Sequence, residues 1–524
     1  MKRQSKKVRW DLCDLRIYLK NRTYKGRKKR MKKVGFDNNK YIELQSKKIL
    51  ERVDSFGGKL YLEFGGKLFD DYHASRVLPG FEPDSKMKML LKIKDKAEIV
   101  IAICADDIEK NKQRGDLGIT YDLDVMRLID TFRDLGLYVG SVVLTRYRNQ
   151  RAAEAFKRKL ESMNIAVYRH YPIENYPSDV PYIVSEDGFG RNEYIETKMP
   201  VVVVTAPGPG SGKMATCLSQ LYHENKRGIQ AGYAKYETFP VWNLPLKHPV
   251  NLAYEAATAD LSDVNMIDPY HLEAYGETTV NYNRDVEIFP VLSAMFEKIY
   301  GESRYKSPTD MGVNMVGFGI VDDAACVEAS IQEIIRRWYT AKCAAKKGNP
   351  DTTEIQKLDV LMNELSLTAE DRPCVSPAIL VAEKTEGPAA AIELPDGHIV
   401  TGKTTALMGA SSAAVLNALK YLAGISDSID LIAANIIEPI QKLKVNHLRS
   451  SNPLLHLDQI LLALSIGAVT NPTAKLALDK LDELKGSEVH STVILSREDE
   501  ITFKKLGFNV TCEPEYQTAR LFHG

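Results

Sequence analysis

Four consecutive valines, at positions 201–204, run directly into the loop Thr-Ala-Pro-Gly-Pro-Gly-Ser-Gly-Lys at 205–213. A run of β-branched apolar residues is typical of a strand that is buried on both faces, as in a parallel α/β sheet. Residues 214 to about 225 suit a helix. The three glycines allow a tight turn with outward-facing amides, and the helix start adds free amides, its positive dipole end and the charge of Lys213. The sequence therefore predicts a strand, loop and helix that bind a phosphate or a similar oxyanion.

The loop departs from the nucleotide-binding P-loop pattern, which is glycine, four residues, glycine-lysine and then serine or threonine. Pro207 stands at the position of the first glycine, and Met214 replaces the hydroxyl residue that ligates magnesium. The nearest hydroxyl, that of Thr216, falls on another face of the predicted helix. The pattern thus predicts anion binding and disfavours magnesium-dependent NTP hydrolysis of the usual kind. The alternative is a glycine-rich turn with Lys213 in solvent.

A second segment, Gly397-His-Ile-Val-Thr-Gly-Lys-Thr404, matches the P-loop spacing in full. The residues before it read as a strand, 389–394, that enters a Pro-Asp-Gly turn, and this pattern is typical of a β-hairpin. Residues 398–403 then form the returning strand, and the next helix begins only near Ser411. Because a P-loop needs a strand, a loop and a helix, we interpret this match as accidental, although Lys403 stays a candidate ligand residue.

The composition of the chain is that of a globular protein with two to four domains, since 44% of its 524 residues are hydrophobic and 27% are charged. No apolar stretch is long enough to cross a bilayer, and no secretory leader is visible. Seven cysteines are scattered singly, without a C-x-x-C pair, which predicts neither a disulfide framework nor a zinc site. We therefore expect a cytoplasmic protein without a structural metal and without a membrane partner.

The net charge of +1 hides an asymmetry between a basic leader and an acidic body. Residues 1–33 carry 15 lysines and arginines against two aspartates, which leaves a net charge of −12 for the rest of the chain. The leader could be an arm for nucleic acid or membrane, but residues 25–30 also match a translated ribosome-binding sequence before Met31. We interpret residues 1–30 as disordered or as a misassigned start. The acidic body argues against nucleic-acid binding.

Strands and helices alternate beyond residue 97, which predicts a parallel wound sheet. Ligands of such sheets bind beyond the carboxyl ends of the strands. Asp106, Asp107 and Arg146 follow the ends of two predicted strands, so we expect them beside the glycine loop. The predicted strands of this series are 97–104, 138–145, 165–168 and the valine run, and the predicted helices are 122–135 and 149–163.

Two weaker signals lie outside this series. A predicted strand, 59–64, runs into Gly65-Gly66-Lys67, a turn that can contact phosphate. Polar loops between 229 and 320 are common carriers of specificity, and Asp268 there resembles a Walker B aspartate without a clean apolar strand before it. The candidate catalytic residues are His73, Asp106, Asp107 and Asp310. The candidate ligand-binding residues are Gly65, Gly66, Lys67, Arg146, Gly208, Gly210, Ser211, Gly212, Lys213, Lys306, Asn314 and Lys403.

We expect an α/β protein with a Rossmann-like, mostly parallel sheet domain over 31–320, a helical subdomain over 321–375 and an α+β domain over 376–524. The helical subdomain is predicted from an apolar stripe on one helix face, which we expect in the core. That stripe consists of Ile331, Ile334, Ile335, Trp338 and Tyr339. The strands predicted for the last domain are 377–383, 388–394, 398–403, 491–495 and 508–512, and its helices lie near 412–423, 455–468 and 473–485.

The segments 201–213, 305–315 and 387–412 together resemble a bacterial family known as domain of unknown function 1846. The likeness extends from about Met31 to the C terminus. It implies a multidomain cytoplasmic protein with a Rossmann-like first part, a helical piece and an α/β final part, and it implies no settled activity. A peptidase activity, sometimes attached to such proteins, does not suit a sequence that lacks H-E-x-x-H and a recognisable nucleophile constellation.

Our leading hypothesis is an enzyme that binds a phosphorylated small molecule or a nucleotide at the variant loop. The loop amides and Lys213 would hold the phosphate, and acidic or histidine side chains at neighbouring strand ends would transfer protons. A role for magnesium stays open, and carboxylates would have to hold it. The alternatives are a non-catalytic nucleotide or metabolite sensor and a structural assembly protein, and a homo-oligomer is compatible with all three.

Overall fold

The computed structural model describes residues 34–65, 68–69, 71–114, 117–261, 263–349 and 352–517. These residues form two compact units. The first unit comprises Val34–Glu255 and Asp263–Cys326, and the second comprises residues 256–261 and the described residues from 327 onward. The basic leader, for which we predicted disorder or a misassigned start, lies outside the described residues.

The strands and helices are numbered in chain order. The strands are β1 Leu60–Phe64, β2 Ala97–Cys104, β3 Tyr138–Thr145, β4 Ala166–Arg169, β5 Val201–Thr205, β6 Gly232–Tyr236, β7 Asn265–Ile267, β8 Val280–Tyr282, β9 Gly312–Val313, β10 Ala389–Glu393, β11 Ile399–Lys403, β12 Glu488–Ser491 and β13 Asn509–Cys512. The helices are α1 Asn38–Ser55, α2 Tyr72–Val77, α3 Ser85–Lys92, α4 Ala105–Glu109, α5 Tyr121–Asp134, α6 Arg151–Ser162, α7 Val180–Ile183, α8 Lys213–Lys226, α9 Pro249–Ala257, α10 Pro269–Tyr275, α11 Asn283–Tyr300, α12 Pro308–Met311, α13 Asp323–Lys346, α14 Thr353–Glu364, α15 Val375–Thr385, α16 Ala410–Ala423, α17 Ala434–Lys442, α18 Leu457–Gly467, α19 Pro472–Leu478 and α20 Arg497–Lys505.

The first unit is built on a seven-stranded parallel sheet in the order β4-β3-β2-β5-β1-β6-β9. The valine strand β5 lies at its centre, where Val201 pairs with Ala97 on one side and with Leu60 on the other. All five residues of β5 are buried. The predicted α/β fold class with a mostly parallel sheet is therefore confirmed, and the valine run owes its composition to burial on both faces.

The order of the strands places a reversal of winding between β2 and β5. From β2 the chain moves outward to β3 and β4, whereas from β5 it crosses β1 to reach β6 on the opposite side. Helices that follow β2 and β5 therefore diverge and leave a crevice at the carboxyl ends of these two strands. In open α/β sheets, ligands bind at such a point. The glycine loop that follows β5 lies at this crevice.

The second unit contains a four-stranded mixed sheet in the order β11-β10-β12-β13. Strands β10 and β11 pair antiparallel across the Pro-Asp-Gly turn, as the hairpin prediction required. The P-loop match at 397–404 is thus a turn and a strand instead of a loop before a helix. Its second glycine, Gly402, has a packing role, because a Cβ atom there would lie 2.2 Å from the backbone nitrogen of Ala414 in α16.

The predicted strand 377–383 is wrong, because these residues belong to helix α15. Val375 and Ala378 are buried at a helical spacing, and Ala378 packs on Ala391 and Ile399 of the hairpin. Pro377 lies in the first turn of the helix, where its missing N–H costs little. The apolar run misled the sequence interpretation because a short apolar segment fits a buried strand and a half-buried helix equally well.

The predicted helical stripe is found on α13. Ile331, Ile334 and Ile335 are fully buried and Tyr339 is nearly so. The indole nitrogen of Trp338 donates a hydrogen bond of 2.7 Å to Asp359 of α14. The three isoleucines and Tyr339 therefore pack in the core, as we expected, whereas Trp338 is only half-buried. Among the described residues, none of the helices has the length and apolar character needed to span a bilayer.

Helix α8, which follows the glycine loop, is fixed to the sheet by an uncharged histidine. His170 follows β4 and is buried, and its Nε2 lies 3.2 Å from both Gln220 Nε2 of α8 and the carbonyl oxygen of Glu193. Gln220 also accepts a hydrogen bond of 2.8 Å from the backbone nitrogen of Ile195. Burial lowers the pKa of His170 to about 3, so the imidazole is neutral at physiological pH.

We predict that Gly402→Ala destabilises the second unit by more than about 2 kcal/mol, because the new Cβ atom collides with the backbone of α16. Gly387→Ala is the matched control, since the nearest atom to its Cβ would be the carbonyl oxygen of Thr385 at an ordinary 3.7 Å. Urea unfolding of both variants measures the difference. Equal unfolding midpoints would contradict the packing role of Gly402.

We also predict that His170 makes the first unit less stable as the pH falls. Below about pH 6.5 the unfolded chain binds a proton at His170, whereas the folded chain does so only near pH 3. The free energy of unfolding therefore falls by up to about 1.4 kcal/mol for each unit by which the pH is lowered between these values. Hydrogen exchange of the β5 amides at pH 6 and pH 5, corrected for intrinsic rates, reports this slope. His170→Gln should reduce the slope, and His447→Gln in the second unit should leave it unchanged. A slope that is the same in His170→Gln as in the wild type would contradict the prediction, because groups other than His170 would then account for it.

Candidate functional site

The glycine loop joins the end of β5 to the start of α8 with its backbone amides unused. Gly212 caps the helix in the left-handed conformation, at φ +86°, and Gly210 has φ +76°. The first backbone hydrogen bond of α8 runs from Thr216 N to Gly212 O at 2.9 Å. Among the described residues, no group accepts a hydrogen bond from the amides of Gly208 or of residues 210–215. This free-amide segment is the geometry that an anion requires.

The carbonyl side of the loop, by contrast, is fixed inside the protein. Thr145 Oγ1, at the end of β3, donates a hydrogen bond of 2.8 Å to the carbonyl oxygen of Ser211. The hydroxyl of Ser211, which is fully buried, donates to the carbonyl oxygen of Gly208 at 2.9 Å. Ser211 can therefore offer a ligand its amide but not its hydroxyl.

Two of the predicted glycines are required by close neighbours. A Cβ atom on Gly208 would lie 2.2 Å from the hydroxyl oxygen of Tyr121, at the start of α5, and one on Gly212 would lie 3.0 Å from Thr145 Cγ2. A Cβ atom on Gly210 would meet nothing within 4 Å, so that glycine is required only by its positive φ. The loop is thus held between the ends of β3 and α5.

Lys213 is the first residue of α8 and is half-buried. Its ammonium group has no hydrogen bond or ion pair with the described residues. Cys217, one turn later on the same helix, is fully buried. Burial and then the Glu63 carboxylate raise the pKa of the Cys217 thiol, whereas Lys213 lowers it, so both charged groups lie near this thiol. Glu63, near the carboxyl end of β1, and Lys213 thus both influence the same buried thiol.

The structure brings Asp106 and Arg146 together, as two neighbouring strand ends predict. Arg146 Nε lies 3.9 Å from Asp106 Oδ2, and Arg148 Nη1 lies 3.5 Å from the same oxygen. Gln150 donates a hydrogen bond of 2.9 Å to the other carboxylate oxygen of Asp106. Asp107 instead pairs with Lys112 at 3.2 Å. Because the arginine side chains are more than half exposed, these ion pairs are screened by solvent and leave Arg146 available to an anion.

A buried acidic cluster, which the sequence interpretation missed, lies at the ends of β1 and β6. Glu63 pairs in register with Lys235, so both side chains lie on one face of the sheet. Glu63 accepts a hydrogen bond of 2.6 Å from the hydroxyl of Tyr233. Lys235 Nζ contacts Glu237 Oε1 at 2.9 Å and also contacts Asp285 of α11. Two carboxylates thus contact the Lys235 ammonium group, and Glu63 lies beside them on the same face of the sheet.

The balance of charge in this acidic cluster favours a retained proton. Burial raises the pKa of the Glu237 carboxyl, and Lys235 opposes that rise only in part. The second oxygen of this carboxyl, Oε2, is buried and has no hydrogen-bond partner among the described residues. Lys235 and Glu237 are two residues apart at the end of a strand, and this spacing is the signal that could have revealed the cluster. Nothing in the sequence links Asp285 to it.

His73 lies near the end of β6 but is enclosed by aromatic rings. Its ring packs edge-on against Phe239 at a centroid distance of 5.1 Å and lies 6.4 Å from the ring of Tyr254. Gly65 follows β1, and a Cβ atom there would lie 3.6 Å from the carbonyl oxygen of Tyr236. Gly66 and Lys67 lie outside the described residues, so their predicted contact with phosphate stays a prediction.

The remaining candidates of the first unit lie at the β9 end of the sheet. Since β9 is three strands from β5, they are about 14 Å from the glycine loop along the sheet. Asp310 accepts hydrogen bonds from the Tyr275 hydroxyl at 2.9 Å and from the backbone nitrogen of Lys306 at 3.0 Å. Asn314 is buried, and its amide group donates to the carbonyl oxygens of Thr238 and Pro240. These hydrogen bonds favour structural roles for Asp310 and Asn314.

Asp268 and Lys403 complete the set of candidates. Asp268 is fully buried and accepts hydrogen bonds from His271 N at 3.0 Å and Thr309 Oγ1 at 2.6 Å. It therefore caps α10 instead of facing the glycine loop. Lys403 is the exposed last residue of β11 in the second unit. Its contact with a ligand stays a prediction.

Neither of two surface cavities includes the glycine loop. One, of about 550 Å³, is lined by Asn175, Tyr176, Ser178, Asp179 and Pro181. The other, of about 330 Å³, lies at the amino ends of β1, β5 and β6, where its lining includes Gly57, Lys59 and Pro200. Pro209 and Gly210 of the loop are exposed, whereas Ser211 is buried. Within the described residues, no group of three or more histidine, cysteine or acidic side chains is arranged to hold a metal ion.

The chain matches two sequence profiles, described as the N-terminal and C-terminal parts of the domain of unknown function DUF1846, over residues 34–366 and 370–522. It is 58% identical to UPF0371 proteins of Streptococcus uberis and Streptococcus thermophilus, and 57% identical to one of Streptococcus pyogenes. Each of these alignments spans 492 residues, which are 94% of this chain and 100% of the relative. The chain therefore belongs to the DUF1846 family, as its resemblance to that family predicted.

Proposed function

We propose that the protein is an enzyme that binds a phosphorylated small molecule or a nucleotide at the glycine loop. The observation that supports this proposal is the run of amides at Gly208 and residues 210–215, which have no acceptor among the described residues. An isolated helix start leaves three or four such amides, but here the loop adds further donors. Backbone amides that converge on one point are satisfied by phosphate oxygens.

The surroundings of the loop favour a negatively charged ligand. Lys213 has no ion-pair partner among the described residues, and Arg146 is more than half exposed at the neighbouring strand end. The crevice between β2 and β5 is the place where a parallel sheet binds its ligands. The six described cysteines are free thiols, which supports a reducing compartment such as the cytoplasm.

Glu63 is our candidate for proton transfer at this site. Glu63 pairs in register with Val204, next to the end of β5, so it lies at the edge of the sheet from which the loop begins. Asp106 stays the second candidate, because it follows the adjacent strand β2. A carboxylate next to a bound phosphate ester can accept the proton of an attacking hydroxyl or water.

One observation favours a second function, that of a non-catalytic nucleotide or metabolite sensor. Met214 cannot ligate magnesium, and Asp106 is already paired with two arginines and Gln150. A site that binds phosphate without a metal or a free carboxylate would bind its ligand without turning it over. Phosphate release from a ligand that is found to bind separates the enzyme from the sensor.

We predict that a thermal-shift screen of nucleotides, sugar phosphates and dinucleotides identifies a ligand whose affinity depends on Lys213. Lys213→Ala should weaken binding about 10- to 100-fold, because it removes a charge-assisted contact. Lys213→Pro should weaken it further, since it removes one loop amide and also disfavours the conformation of Gly212, whose ψ of 22° clashes with a following proline ring. Calorimetry gives both dissociation constants.

Lys159→Ala is the control, because Lys159 is exposed on α6 of the same unit. It should bind the ligand as the wild type does. If a ligand stabilises the protein but binds the wild type and both Lys213 variants with the same affinity, the loop is not part of its binding site. A screen without any hit would contradict the proposed function itself.

A further inference from the structure

Helix α18 has apolar side chains on the side that faces solvent as well as on the side that faces the core. Leu457, Ile460, Ala463 and Leu464 point into the core of the second unit. On the opposite side, Leu462 and Ile466 are 64% and 66% exposed, and Val469, just beyond the helix, is 83% exposed. Leu476 of the following helix α19 is also more than half exposed. A helix that is hydrophobic all round belongs in a buried environment.

We propose that this face, formed by Leu462, Ile466, Val469 and Leu476, is the contact surface between two copies of the chain. The exposed residues are contiguous at helical spacing, since 462, 466 and 469 follow the four-three pattern by which helices pair along an apolar seam. Scattered exposed leucines are normal on a protein surface, whereas a continuous apolar stripe marks an interaction site.

A second copy is the occupant that the charge pattern favours. No residue from Gln459 to Ala474 is charged, in a chain of which 27% is charged. A two-fold interface brings a surface against itself, so any net charge on it would be repelled by its own copy. Asp458, one turn before Leu462, and Lys475, next to Leu476, flank the face with opposite charges, so the face has no net charge and is self-complementary. In the dimer, α18 packs against α18 of the other copy, with Leu462 and Ile466 at the centre.

The composition of the surface also suits a dimer of this kind. Four aliphatic side chains that are each more than half exposed form an apolar centre, and the neighbouring polar residues Ser465, Thr470 and Asn471 supply a rim. An apolar centre with a polar rim is the anatomy of stable protein interfaces. Burial of the same four side chains on both copies doubles the apolar area removed from water.

The test is the mass of the full chain in solution, measured by size-exclusion chromatography with light scattering at micromolar concentration. The wild type should have the mass of two chains. Leu462→Glu and Ile466→Glu should each have the mass of one chain with an unchanged far-ultraviolet circular dichroism spectrum, because each places two like charges at the centre of the interface. Leu380→Glu is the matched control, since Leu380 on α15 has the same 64% exposure and should leave the dimer intact.

A wild type with the mass of one chain would overturn the proposal. The face would then be covered by another protein or by a part of this chain outside the described residues. A dimer that persists in both glutamate variants would overturn it as well. Should a glutamate variant fail to fold, the uncharged double variant Leu462→Ser, Ile466→Ser replaces it. Its dissociation constant should rise by at least about tenfold, as expected for the centre of an interface.

Discussion

The hydrogen bond from Thr145 to the carbonyl oxygen of Ser211 helps to determine which backbone groups of the glycine loop face a ligand. Together with the bond from Ser211 to Gly208, it turns the carbonyl groups of the loop inward. The peptide plane that carries the Ser211 oxygen also carries the N–H of Gly212, which therefore points away from the interior, whereas the Gly208 oxygen precedes Pro209, which has no N–H. The direction of the Gly212 amide in the proposed site therefore depends on β3, two strands away, as well as on the loop sequence.

The sheet was predictable from the sequence because strands that are buried on both faces consist of runs of apolar residues. The valine run and the neighbouring strands β2 and β3 are apolar along their length, and the structure places them where the alternation of strands and helices indicated. Short apolar segments carried less information. Residues 377–383 form a helix because Cys374 and Ala378 pack on the hairpin, and no local pattern specifies that contact. Tertiary packing decides the conformation of such segments.

The candidate site was predictable only in part, for a physical reason. Residues of the loop and of the strand ends are found by their spacing, which is why Lys213, Asp106 and Arg146 could be placed on one edge. The acidic cluster is assembled from β1, β6 and α11, and its members are far apart in the chain. Asp285 has meaning only beside Lys235, since a buried ammonium group needs partners from several elements. Chemistry that depends on long-range contacts is not visible in a local motif.

The order of strands also bears on how the polypeptide emerges from the ribosome. Strand β1 is flanked by β5 and β6 alone, and both are synthesised long after it, whereas β2 to β4 can pair among themselves. The apolar segment Leu60–Phe64 therefore has no strand to pair with until more than a hundred further residues have been synthesised. Parallel pairing between strands that are distant in the sequence is slow, and it leaves apolar surface exposed until the pairing is complete. The nascent chain is thus most exposed to aggregation, and most dependent on chaperones, until the valine strand arrives.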